Sequence, residues 1–274
     1  MSASRMAVDA PAGCHHGGLA GLRHAIRTIE GFSGVGGEGR VVSLGIPAID
    51  ELLGGGLACG ALHEIAAARE CEIAAATAFA LALAGRANAP SRPNASRPNA
   101  SCPHVVWLAE DMMVAESGAP YGPGLDQAGL APERLITVAA VREREMFWAM
   151  EEALRCRTIA AVIGETRSRH VDAVATRRLS LAAAASGAFA VLLRAAQDEE
   201  HSAAATRWIV GAAPGASQSH GLGPPRLQVQ LVRNRRGHLG SWTLELNRAC
   251  FILATHPVPV AGAAFDRPPR ADVA

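Results

Sequence analysis

VVSLGIPAIDELLGGGLACGALHEIAAARECEIAAATA, Val41 to Ala78, decides the fold. A short apolar run leads into an amphipathic turn, Ala48-Ile49-Asp50-Glu51-Leu52-Leu53, which Gly54 stops. Gly54-Gly55-Gly56-Leu57 follows, then a strand-like run over Ala61 to Ala66 and an Ala-rich helical pattern over Glu72 to Arg86. Strand, loop and helix in that order form the approach to a phosphate-binding loop. There, glycines let backbone N–H groups close around phosphate oxygens, a lysine neutralises them, and a Ser or Thr hydroxyl meets Mg²⁺. Here the loop reads Ala66-Ala67-Ala68-Arg69-Glu70-Cys71-Glu72-Ile73-Ala74. The glycines and the Lys-Ser/Thr pair are absent from it. The stretch predicts the architecture of an NTPase without its chemistry.

The rest of the composition agrees. The chain has 274 residues, enough for one large α/β domain or two small ones. Aromatic residues are 4% of it, so the core must be built from Ala, Leu, Val and Ile. A net charge of +1 gives no general pull toward nucleic acid or membrane. All 26 basic residues are arginine. A chain without lysine cannot supply the phosphate-loop ammonium, a Schiff base or an amine nucleophile. Cys14, Cys59, Cys71, Cys102, Cys156 and Cys250 form no CxxC pair. Their irregular spacing predicts reduced thiols, not a disulfide framework or a metal site. No stretch has the roughly 20 apolar residues of a membrane helix. Asp9, His15 and His16 interrupt the N-terminus, which predicts no secretory signal and a cytoplasmic protein.

Along the chain, residues 1–18 read as disordered. Residues 19–40 read as a helix with apolar Leu19, Leu22, Ile26 and Ile29, followed by a glycine-dense linker. The core is expected over 41–254. Within it, 88–103 is a loop insertion in which RPNAS occurs twice in tandem. Residues 255–274 read as an extended, proline-rich tail. Buried strands are predicted over His104–Leu108, Leu135–Ala139, Thr158–Ile163 and Ala188–Leu193. Helices are predicted over Leu125–Leu130, Arg142–Cys156 and His170–Ser186, the last closed by Gly187. Such alternation argues a mostly parallel central sheet flanked by helices. After Arg194 the rhythm changes. Ala205–Ala212, Leu227–Val232 and Ser241–Leu246 predict antiparallel C-terminal strands, the last two joined at a hairpin tip carrying Arg233, Arg235 and Arg236.

These residues resemble a known family. Ser43-Leu44-Gly45, Ile49-Asp50, Leu53-Gly54-Gly55-Gly56-Leu57, Gly60 and Glu64-Ile65 look like the opening of the RecA/RadA recombinase core. The chain as a whole, from about Leu19 to about Pro268, resembles the ImuA family, RecA-like members of the damage-inducible mutagenesis cassette. Gly118 to Gly124, Trp148 to Cys156, Thr176 to Ser180, Thr206-Arg207-Trp208 and Trp242 to Glu245 carry that likeness. The resemblance implies a RecA-like fold and a part in SOS mutagenesis and translesion DNA synthesis. The partners it implies are an ImuB-like Y-family protein, an error-prone C-family DNA polymerase and RecA.

Setting Glu64-Ile65 on the recombinase pattern places the loop's first glycine at Ala67, its second at Glu72, its lysine at Ile73 and its threonine at Ala74. Glu72 would repel phosphate, and Ala74 cannot ligate magnesium. The metal-coordinating strand ends Ala160-Ala161-Val162-Ile163-Gly164-Glu165, so its carboxylate is displaced to the other side of the strand or lost. Glu110 or Asp111 would match the activating acid, and reads as a solvated loop-end group. The recombinase sensor falls at Arg194. No catalytic residue, cofactor or metal is therefore expected. His63-Glu64 lacks the second histidine of a zincin, and no GxSxG frame surrounds Gly164 or Gly187. Arg233, Arg235 and Arg236 are candidate contacts to a partner or DNA. The acidic Gln197-Asp198-Glu199-Glu200 loop argues against single-stranded DNA, and Trp208 and Trp242 read as core before base-stacking platforms. Two alternatives stay open: a SulA-like division inhibitor, and a RecA-like ATPase or ssDNA-binding protein with a rebuilt nucleotide site.

Overall fold

Three glycines turn the chain at the start of the core. Gly54, Gly55 and Gly56 have φ of 71°, 104° and 137°, which L side chains rarely adopt. A Cβ on Gly56 would lie 2.6 Å from the Val42 carbonyl oxygen. The turn brings β1 (Val41–Val42) antiparallel to β2 (Leu57–Ala58) around the short helix α1 (Pro47–Leu52). Asp50 fixes the entry. Its carboxylate accepts hydrogen bonds from Leu44 N at 2.7 Å, Ser43 Oγ at 2.7 Å and Gly45 N at 2.9 Å. The Ser-x-Gly and Ile-Asp parts of the opening pattern are thus one structural turn.

The computed structural model describes residues 40–89, 103–168, 170–197, 201–215, 223–235, 237–247 and 250–254. The N-terminal arm, the duplicated RPNAS loop, Arg236 and the proline-rich tail lie outside them. The elements after β2 are β3 (Leu62–Ala67), α2 (Ile73–Asn88), β4 (His104–Glu110), α3 (Asp111–Ser117), α4 (Gly122–Gln127), β5 (Leu135–Ala140), α5 (Glu143–Arg155) and β6 (Ile159–Thr166). Then come α6 (Ala173–Ser186), β7 (Phe189–Arg194), β8 (Thr206–Ala213), β9 (Arg226–Asn234), β10 (Gly240–Asn247) and β11 (Cys250–Leu253). Among the described residues nine strands form one sheet, ordered β11-β10-β9-β8-β3-β7-β6-β4-β5. From β8 to β5 every pairing is parallel, and β8 to β11 are successively antiparallel.

Strand alternation divides the core. Ile65, Trp107, Ile163, Val191 and Trp208 face α2, where Phe79 and Leu83 meet them. Leu62, Val106, Leu108, Val162 and Leu192 face α5 and α6, against Met146, Met150, Leu154 and Leu179. Helix α2 is buried nearly all round, which suits its Ala-rich composition. His63 joins three strands: its Nε2–H donates to the Ala58 carbonyl at 2.9 Å, and its Nδ1 accepts from Thr206 Oγ1 at 2.8 Å. The Trp208 indole N–H donates to the same hydroxyl at 3.0 Å. Trp208 is core, with Trp242 packed against it.

The sequence pattern located these parallel strands and long helices. Gly187 caps α6 in the left-handed region, φ 74°, as predicted. Helix α6 starts three residues later than predicted, because Asp172 caps it by accepting from Val174 N at 2.9 Å. The structure adds α3 and β11, which the sequence reading did not contain, and extends β6 to Thr166.

Candidate functional site

In open α/β sheets, ligands lie outside the carboxyl ends of the parallel strands. In this chain the loop joining β3 to α2 occupies that place. Ala67 ends β3, Ala68 N donates to the Val210 carbonyl at 2.8 Å, and a 3₁₀ turn over Glu70–Glu72 leads directly into α2 at Ile73. Arg69 and Glu72 pair across that turn at 2.9 Å. This pairing holds the Glu72 carboxyl below its ordinary range, and a hydrogen bond from the Ala212 backbone adds to the effect. Glu72, which the sequence comparison set against the second phosphate-loop glycine, is thus a charge-paired side chain that leans on β8. A Cβ at Gly211 would meet Glu72 Oε2 at 3.2 Å. Ile73 and Ala74 begin the helix with no polar side-chain group.

Beside the loop is a cavity of about 180 Å³. Ile73, Ala74 and Thr77 of α2 form one wall, Trp107 and Ala109 of β4 the floor, and Met113, Val114 and Pro120 the far side. Ser117, Gly118 and Ala119, Thr137 of β5 and Glu165 of β6 also line it. This corrects the expectation for Glu165. Ala161 and Ile163 face α2, so period 2 carries Glu165 to that same face once the strand continues to Thr166. Gly164 faces the opposite layer, where a Cβ would stand 2.6 Å from Met150 Sδ. The carboxylate therefore lies on the phosphate-loop side. Burial pushes its pKa up to about 7, partly offset by Arg167. Arg167 itself is held by Glu116 and by Ser117 Oγ, the latter at 2.9 Å. Among the described residues nothing hydrogen-bonds the Glu165 carboxyl.

The other predicted positions do not join this cavity. Glu110 ends β4 in line with Val106 and Leu108, on the face away from α2. It is not a freely solvated acid: burial first, then Glu143 and Asp111, raises its pKa. Asp111 opens α3 and accepts from Met112 N at 2.7 Å. Arg194 is buried at the end of β7, with its guanidinium 3.5 Å from the Ser168 carbonyl. At the basic hairpin, Arg233 donates to the Ser202 carbonyl at 2.6 Å and Arg235 to the Ala203 carbonyl at 2.8 Å. Both guanidiniums fold back on their own chain. Most of the acidic loop, residues 198–200, lies outside the described residues.

Glu64, one of the two residues that set the alignment, is 1% exposed. Arg207 Nε stands 2.7 Å from its carboxylate, and Ser202 Oγ also donates to it. No sequence signal pointed to that buried pair. Among the described residues, Cys59, Cys71, Cys156 and Cys250 are in no disulfide. Among the described residues no group of three or more His, Cys, Asp or Glu could hold a metal ion, and no helix is long and apolar enough to cross a membrane.

No family model matches the sequence. Two proteins described as Protein ImuA, from two strains of Caulobacter vibrioides, are each 34% identical over 223 residues, 76% of this chain and 84% of theirs. Among solved structures the RadB recombinase superposes with a TM-score of 0.52 at 15% identity, covering 77% of this chain and 98% of that one. At that identity the likeness concerns the fold, and it is a RecA-like one.

Proposed function

The chain belongs to the ImuA family, and from that premise we propose that it is a non-catalytic, RecA-like accessory factor in damage-induced mutagenesis. It acts by protein–protein contact in translesion DNA synthesis. Its partners are an ImuB-type Y-family protein, an error-prone C-family polymerase and RecA. The observation that carries the non-catalytic reading is the occupied phosphate loop. Glu72, paired to Arg69 at 2.9 Å, stands where a glycine would admit phosphate, and Ile73 and Ala74 stand where lysine and threonine would hold it. Like charge opposes phosphate at that point, and no lysine elsewhere in the sequence can compensate.

Calorimetry with Mg²⁺-ATP tests this reading. No binding heat and no phosphate release are expected; affinity in the micromolar range would overturn it. In cells, deletion of the gene is expected to lower the frequency of damage-induced mutations without altering growth in undamaged culture.

A further inference from the structure

We propose that the cavity between α2, α3 and the ends of β4 to β6 is an anchor site for an arginine side chain of a partner protein. The proposal rests on the accessory reading above and names a surface through which such contacts are made. Ile73, Trp107, Met113 and Val114 give the cavity apolar walls, and among the described residues Glu165 is the one acid that lines it. An apolar slot with a single carboxylate fits a ligand with an aliphatic stem and one cationic head. Guanidinium fits better than ammonium. It is more weakly hydrated, so it enters an apolar slot at lower desolvation cost, and its planar fork meets a carboxylate with two parallel hydrogen bonds. Thr77 and Thr137 add hydroxyl acceptors for its remaining N–H groups.

Neighbouring charges leave this role open. Arg167 contributes at a distance but is engaged by Glu116 and Ser117 at the rim. The lining residues of α2, β4 and β5 carry no charge: Ile73, Ala74 and Thr77; Trp107 and Ala109; Thr137. Glu110 faces the other layer. The Glu165 carboxyl titrates near neutrality, so an incoming cation displaces its proton. Binding should strengthen about tenfold per pH unit below 7 and level off above it.

The full chain, methyl-labelled at Ile and Met, can be titrated by NMR with n-butylguanidinium, its uncharged isostere n-butylurea, and putrescine. Butylguanidinium is expected to shift the Ile73 and Met113 methyls, to bind about tenfold more tightly than butylurea at pH 8, and to lose that advantage by pH 5.5. Equal binding of butylurea, or no pH dependence, would overturn the proposal without any variant having to fold. Tighter binding of putrescine would overturn it too, since the cavity offers one acid for two ammoniums. Glu165→Gln is expected to weaken butylguanidinium about tenfold, and to lower induced-mutation frequency toward that of the deletion. If deletion itself changes nothing, the accessory reading fails while the titration still judges the cavity. If deletion lowers mutation but Glu165→Gln does not, the anchor proposal is the one that fails.

Discussion

Glu165, partly buried on β6, and Glu64, fully buried on β3, are acids of one sheet with different neighbours. Among the described residues Glu165 has no hydrogen-bond partner, and burial raises its pKa to about 7 from the usual 4.5. The folded protein therefore holds this proton more tightly than the unfolded chain. The resulting stability is complete below about pH 4.5 and is lost as pH rises through 7. Glu165→Gln removes that loss. Between pH 4 and pH 8 the wild-type chain is expected to fall behind the variant by about 3 kcal/mol, read from urea unfolding at both pH values. Glu64 instead has Arg207 at 2.7 Å and the Ser202 hydroxyl. Arg207→Met leaves its charge buried without a cation, and a loss of about 3–5 kcal/mol in unfolding free energy is expected. Glu64→Leu combined with Arg207→Met should recover most of it, because an apolar pair needs no compensating charge.

Among the elements, α2 shows most clearly what packing demands of sequence. Gly85 sits inside this helix, where alanine would ordinarily be favoured by about 1 kcal/mol. A Cβ there would lie 2.6 Å from the Ala128 carbonyl oxygen, in the turn that follows α4. Backbone cannot yield as a side-chain end does, so Gly85→Ala is expected to destabilise by about 2 kcal/mol or more, seen as a lower thermal midpoint. The Gly85 contact was invisible in sequence, since it depends on a turn 43 residues away reaching the helix. The elements themselves were legible where the pattern was long. β4, β6 and β7 are continuous apolar runs, as strands covered on both faces must be. Helix α5 showed its Met146, Met150 and Leu154 stripe. Helix α3 was missed because seven residues with one buried side chain, Met113, give no periodicity to read. Strand β11 was missed for the same reason: of its four residues only Phe251 is buried. The loop between β3 and α2 was legible as the link between a strand and a helix, because both flanking patterns are long enough to read. The cavity beside it was not, because the side on which Glu165 falls depends on two further residues of strand.

At the scale of the molecule, a RecA-like sheet persists around a loop that retains none of the phosphate-binding side chains. The pieces of the opening motif that survive have internal partners: Asp50 ties the Ser43–Gly45 turn, Glu64 pairs with Arg207, and Gly56 admits the Val42 carbonyl. Each of these contacts is made within the fold itself. One consequence concerns the order in which the chain is made. β3 leaves the ribosome early, yet its two neighbours are β7, reached at Ala190 opposite Leu62, and β8, reached at Thr206 opposite His63. Until more than a hundred further residues have been synthesised, both edges of this fully buried strand lack their mates. Closing so long a loop is slow relative to local pairing. Nascent chains stalled after Ser186 are expected to be cleaved between 61 and 68 by added protease, and chains stalled well beyond Ala213 to resist. The strand at the heart of the finished sheet is thus among the last to be sheltered, and the growing polypeptide spends much of its synthesis as a client for whatever guards exposed β-edges in the cell.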